Sequence, residues 1–239
     1  MRAIPTVDDF ESDVVTQCFD DMVNPPGLTN FLGAAQVDHD ITGVRSVNVP
    51  PYSQGDTITG VLSLDGRLFR SFGVPVSLRW RPDQVSRWAQ VGELTVATTT
   101  VMPRDTAGVV VDIAVTNTSE RTRQVRLGLS VASTVTRAAH GWREPSPPAE
   151  PNDVAPVPGR PAVIGRARTS AAVAVQGVDV AEARVREIAK TRENYQFMSS
   201  PFTTASDREF QYVVNLNEIR PEEAGQYVFS PFQSQRRAS

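Results

Sequence analysis

Two histidines and three tryptophans are the residues of this chain that narrow its chemistry most. His140 is followed by Gly141-Trp142-Arg143. An imidazole, an indole and a guanidinium in one short stretch form a plausible sugar-contacting set, since a ring face stacks on the apolar C–H groups of a sugar. The competing reading is an exposed loop histidine with its tryptophan tucked into the rim of a sheet. Trp80 and Trp88 bracket Arg81-Pro82-Asp83. They read either as a carbohydrate platform or as a core anchor (Trp80) and a rim residue (Trp88).

Hydrolysis of a glycosidic bond needs two carboxyls at a defined separation, one with a raised pKa. Asp105, Asp112, Glu144, Glu150 and Asp153 are available, but no spacing pairs them. Asp112 reads as a solvated strand-face residue, and Glu144 and Glu150 as surface charges. Asp38-His39-Asp40 holds metal-ligand residue types, but adjacent residues rarely converge on one ion, so a polar turn is expected. There is no phosphate-cradling glycine loop, paired-cysteine site or nucleophile elbow. No catalytic residue, metal or cofactor is therefore assigned.

The totals exclude several partner classes. The chain has 239 residues, 40% of them hydrophobic and 21% charged, with a formal net charge of -3. That composition fits a globular protein with a real core. Lys190 is the sole lysine, and the arginines are scattered rather than clustered on a basic face, which argues against nucleic acid. Cys18 is the sole cysteine, so no internal disulfide forms; a buried, inert thiol is expected. No stretch approaches the roughly 20 apolar residues that cross a bilayer, and the first ten residues lack a signal-type apolar segment. A cytoplasmic location without membrane contact is the default expectation. Asn117-Thr118-Ser119 reads as a turn.

The elements that must position these groups follow from periodicity. Phe10, Val14, Cys18 and Met22 fall four apart, predicting an amphipathic helix over Thr6 to Met22, capped by Thr6 and stopped at Asn24-Pro25-Pro26-Gly27. From Asp56 the period becomes two. Strands are predicted around Leu62 and Leu64, Val74 to Trp80, Leu94 to Thr98, Val109 to Val115 and Val125 to Val131, with a hairpin turn at Asp65-Gly66. His140 to Pro161 carries seven prolines and reads as a long surface excursion. Alternation resumes at Ala171 to Val178, Ala183 to Lys190, Phe210 to Leu216 and Tyr227 to Phe229. The expected architecture is mainly β: an antiparallel two-layer β-sandwich with one N-terminal α-helix. Residues 1–55 form a lead-in packing on the sandwich, 56–232 the sandwich with a Pro-rich insertion at 140–161, and 233–239 a frayed tail.

The run Ser71-Phe72-Gly73-Val74-Pro75-Val76-Ser77-Leu78-Arg79-Trp80-Arg81-Pro82-Asp83, with Leu94-Thr95-Val96, Met102-Pro103 and Val109 to Val131, resembles the N-terminal β-sandwich (supersandwich) of six-hairpin glycosidases, the debranching-type glycoside hydrolases. The resemblance covers about residues 56–230, judged by strand order. It implies a non-catalytic scaffold packed against a helical-barrel catalytic domain. The family's acid and base carboxylates sit in that barrel, and no helical repeats follow Phe232, so no catalytic residue carries over. The implied partners are a helical catalytic domain or partner chain and an oligosaccharide. A stand-alone binding or self-assembling structural β-sandwich protein, with a homo-oligomer as its assembled form, is the alternative. A related supersandwich fold hosts sugar mutarotases, so a small sugar enzyme centred on His140 is the second alternative.

Overall fold

The computed structural model describes residues 4–21, 25–38, 40–54, 61–138, 150–188, 208–221 and 224–233. The chain is mainly β, and every strand ladder is antiparallel. One sheet has nine strands in the order β1 (Val15–Gln17), β8 (Val76–Arg81), β9 (Gln84–Val91), β10 (Leu94–Val101), β11 (Gly108–Asn117), β19 (Ala224–Gln233), β16 (Val173–Val178), β15 (Ala162–Ala167) and β14 (Asn152–Pro156). A second has five: β17 (Arg184–Ile188), β18 (Glu209–Ile219), β12 (Arg123–Val131), β6 (Val61–Leu64) and β7 (Arg67–Leu68). The third also has five: β13 (Val135–Arg137), β5 (Tyr52–Gln54), β4 (Val44–Val49), β3 (Ala34–Val37) and β2 (Leu28–Thr29). Three sheets therefore replace the two layers expected. The lead-in before residue 56 is the physical reason: Ala34–Val37 and Val44–Val49 have enough β-branched and small residues to build their own sheet.

Strict alternation fills the core. Val109, Val111, Ile113 and Val115 of β11 are each 0% exposed, and Val125, Leu127, Leu129 and Val131 of β12 are buried with them. Phe210, Tyr212, Val214 and Leu216 of β18 join the same cluster, as do Leu28, Val37 and Val47 of the third sheet. One continuous apolar core thus serves all three sheets. At the β6–β7 hairpin, Asp65 and Gly66 take φ of 51° and 85°. Two successive positive φ values suit an Asp-Gly turn, whose twist matches the flanking strands.

The N-terminal helix is not formed. Val7–Phe10 and Phe19–Asp21 are single 3-10 turns, and Val15–Gln17 is a strand. Thr6 does open the first turn, with its main-chain N–H and hydroxyl both donating to Asp9. Beyond it the open edge of β8 wins: the Ser12 N–H donates to the Trp80 carbonyl at 2.8 Å, and the Trp80 N–H donates to the Ser12 hydroxyl at 2.9 Å. Val14, Val15 and Thr16 are β-branched and lose little by extending. Cys18 is accordingly exposed rather than buried.

The proline-rich stretch also differs. Residues 139–149 lie outside the described residues, but Asn152–Pro156 is an edge strand paired with β15. Proline is tolerated there because an edge strand needs donors on one side only. Strand patterning at Ala183 to Lys190 resolves as β17. No helix among the described residues is long and apolar enough to cross a membrane.

Candidate functional site

The nine-stranded sheet has one face on the core and one turned outward. Along β9, Val85, Arg87 and Ala89 are buried, Ser86 and Trp88 half-buried and Gln90 exposed. Register sets Ser77, Trp88, Ala97 and Ala114 in one row across β8, β9, β10 and β11. The next row is Arg79, Ser86, Thr99 and Asp112; the row on the other side holds Gln90, Thr95 and Thr116. Neighbouring strands are about 4.8 Å apart, so two alanines in succession leave a shelf beside the indole. Thr16 of β1 extends the central row, its hydroxyl 2.8 Å from that of Ser77. Gln90 is fixed: its amide donates to the Gly92 carbonyl at 2.7 Å, and its Oε1 accepts from the Thr95 hydroxyl at 2.6 Å. An aromatic ring, an apolar shelf and two flanking polar rows are a surface that an extended, hydroxyl-bearing ligand could cover.

Trp80 does not share this face. It pairs with Val85, on the side of the sheet that carries Val76 and Leu78, and packs half-buried against the core. Its indole N–H donates to the Gly27 carbonyl at 3.4 Å. Trp80 and Trp88 therefore occupy opposite faces and form no joint platform. His140, Trp142 and Arg143 lie outside the described residues, as do His39 and Glu144. Of the carboxylates considered, Asp112 is half-buried in the Arg79 row, Asp105 is exposed and Asp153 pairs with Arg168. Glu150 is buried rather than a surface charge: it accepts from the Thr169 N–H at 3.2 Å and from the Ser170 hydroxyl, closing the turn that precedes β16.

The most heavily charged buried cluster centres on a residue that periodicity did not single out. Arg87 is 0% exposed. Its Nη1 donates to the main-chain oxygens of Asp38 at 2.8 Å, Asp40 at 2.7 Å and Gly43 at 3.0 Å, and its Nη2 donates to the Thr100 hydroxyl. The loop it grips is closed by Asp38 N–H to the Gly43 carbonyl and Gly43 N–H to the Asp40 carbonyl, each 3.1 Å. Thr98 adds a hydroxyl donated to the Ile41 carbonyl at 2.5 Å. Asp38 also pairs with Arg45 at 3.1 Å, and Asp40 accepts from the Ile41 N–H at 2.9 Å. Burial pushes the Asp40 carboxyl up to about 6 against the pull of Arg87, raises Asp38 likewise, and lowers Arg87 to about 10.

This cluster is sealed and anchors a loop; it does not reach solvent to meet a substrate. A signal for it does exist in the sequence: an arginine in the inward slot between Val85 and Ala89 must find buried acceptors. Among the described residues no three His, Cys, Asp or Glu side chains gather to hold a metal ion. A shallow depression of about 300 Å³ lies elsewhere, lined by Asp65, Gln124, Val125, Arg126, Asn215 and Leu216. Neither Trp80 nor Trp88 borders it. No protein-family model matches the chain, and no curated protein matches it in sequence.

Proposed function

We propose that the chain is a non-catalytic β-rich module belonging to a carbohydrate-active system and working with a helical-barrel catalytic partner. Its own contribution is contact with an oligosaccharide across the outer face of the nine-stranded sheet. The observation that carries this reading is the row Ser77, Trp88, Ala97 and Ala114: one half-buried indole beside two alanines, flanked by hydroxyl, amide and guanidinium side chains. Indole faces stack on sugar C–H groups, and the flanking rows supply partners for the ring hydroxyls. The enclosure of Arg87, Asp38 and Asp40 supports a scaffold role for that cluster, since each is buried and engaged with the loop it holds.

Isothermal titration with maltoheptaose and with cellohexaose tests the reading. Binding of either sugar is expected in the micromolar to millimolar range, weakened at least tenfold by Trp88→Ala with an unchanged melting temperature. Absence of binding to both sugars, or undiminished binding by Trp88→Ala, removes the sugar-contact role.

A further inference from the structure

The depression of about 300 Å³ lies on the second sheet, where neighbouring strands set polar side chains next to one another. Leu64 pairs with Leu127, which brings Asp65 beside Arg126, and Arg126 in turn faces Asn215 of β18. Asp65 and Arg126 are locked together through the main chain. The Asp65 N–H donates to the Arg126 carbonyl and the Arg126 N–H donates to the Asp65 Oδ1, both at 2.8 Å. Gln124 precedes Arg126 by two residues, so strand alternation puts it on the same outward side. All four of these residues are exposed, while Val125 and Leu216, paired with each other and buried, complete the lining.

Two features set this place apart from an ordinary polar strand face. Between the Val125–Leu216 and Arg123–Ile219 pairs, β12 advances two residues and β18 three, which is a bulge at the rim of the depression. Bulges bend a strand and re-aim its side chains, and they recur beside binding sites. The second feature is the Arg126 guanidinium, which makes no hydrogen bond, ion pair or ring contact among the described residues. Its Nη2 stands over the Asp65-Gly66 turn, 3.1 Å from the point a Cβ on Gly66 would occupy, so a side chain there would crowd it. The arginines on either side in sequence are engaged elsewhere: Arg67 with the Ser71 carbonyl and the Phe72 ring, and Arg123 with Glu93.

The chemistry of these groups selects the ligand. The planar fork of a guanidinium matches a carboxylate, which it can hold through two parallel hydrogen bonds. Asp65 spends its Oδ1 on the Arg126 N–H and keeps its Oδ2 as an acceptor for a hydroxyl. The amides of Asn215 and Gln124 each offer a donor and an acceptor. A dianionic phosphate would bring its second charge against Asp65, which costs affinity. We propose that the depression binds a hydroxylated carboxylate of monosaccharide size, the chemistry of a uronic acid, with Arg126 on the carboxylate and Asp65 and Asn215 on the hydroxyls. A free sugar acid and a uronate unit within a polysaccharide share that chemistry. Trp88 lies on another sheet, so the inference stands apart from the neutral-saccharide reading and survives its failure.

NMR titration of the isotope-labelled chain with galacturonate, galactose, cyclohexanecarboxylate and inorganic phosphate decides it. Galacturonate is expected to bind at least fivefold tighter than each of the other three, with the largest shifts at Asp65, Arg126 and Asn215. Arg126→Ala is expected to weaken it at least tenfold, Arg126→Lys less, and Asn215→Ala at least threefold. Trp88→Ala and Arg160→Ala are expected to leave it unchanged. Asp65→Asn keeps the Oδ1 acceptor and tolerates the positive φ of the turn, and is expected to narrow the preference over phosphate at least threefold. Tighter binding of tetragalacturonate than of the monomer assigns the ligand to a polysaccharide, and parity assigns it to a free acid; both uphold the site. No saturable binding, equal binding of phosphate or cyclohexanecarboxylate, or undiminished binding by Arg126→Ala overturns the proposal. So does a loss on Trp88→Ala, which moves the contact to the nine-stranded sheet.

Discussion

Arg87 donates through Nη1 to the main-chain oxygen of Asp40 at 2.7 Å while wholly shielded from water. The contact joins β9 to the loop between β3 and β4, and with the Thr98 hydroxyl on the Ile41 carbonyl ties the nine-stranded sheet to the third sheet. Few side chains other than arginine present several donors in a rigid fork, and here the two N–H groups of one nitrogen are shared among three carbonyls.

Arg87→Met removes that fork and leaves three carbonyls without their donor and the buried Asp40 carboxylate without its main cation, while Asp38 keeps Arg45. A loss of about 3–5 kcal/mol of folding free energy is expected, the range seen when one partner of a buried pair is deleted. Urea denaturation followed by tryptophan fluorescence measures it. A loss below about 1 kcal/mol would show that the loop holds without its arginine.

Asp40 makes stability depend on pH in an uncommon direction. Its folded-state pKa is about 6 against an ordinary value of 3.8, so the folded chain binds the proton more tightly than the unfolded one. The contribution is complete below pH 3.8 and is lost as pH rises through about 6. Asp38 is shifted the same way. Asp83 is shifted down by its hydrogen bond from Arg81 and acts oppositely. The test is therefore a difference: Asp40→Asn keeps an oxygen for the Ile41 N–H and is expected to gain on the parent between pH 4 and 6, by up to ~1.4 kcal/mol per pH unit. Parallel denaturation curves at pH 4, 5, 6 and 7 read it out.

How far these features could be read from residues alone depends on how local their causes are. β11 and β12 follow from alternation, because each has one face on the core and one outward, and period two records that directly. The helix expected over Thr6 to Met22 fails because its competitor, the edge of β8, lies more than sixty residues away. The spacing of Phe10, Val14 and Cys18 is real, but the structure leaves those side chains in water. Trp80 packs half-buried against the core, and Trp88 is half-buried on the outward face. What bracketing Arg81-Pro82-Asp83 could not reveal was parity: the hairpin sets Trp80 opposite Val85 and Trp88 opposite Ser77, so the two rings part. Arg87 went unremarked because its acceptors come from a loop 44 to 49 residues earlier.

Gly165 is required by packing. A Cβ there would lie 2.1 Å from the Ser133 Oγ and 2.3 Å from its Cβ, and that serine cannot retreat because it donates to Asn152 at 2.8 Å. Asn152 is itself fully engaged, also accepting from the Val135 N–H and donating to the carbonyls of Val135 and Glu150. Gly165→Ala is expected to cost about 1–3 kcal/mol, the usual penalty of overpacking. Ser133→Gly in the same chain opens the space, so the double variant is expected to cost less than the sum of the two single changes. Additive costs in a thermal-melt cycle would place the effect elsewhere.

β19 lies between β11 and β16, bonded to both. Ribosomal synthesis runs in chain order, so the ribbons on either side emerge long before the one that bridges them. Until it arrives, β8 to β11 and β14 to β16 are two separate meanders with exposed flanks. Completion of this sheet thus waits on β19, and a nascent chain halted after β18 would present two unsealed borders to the chaperones around it.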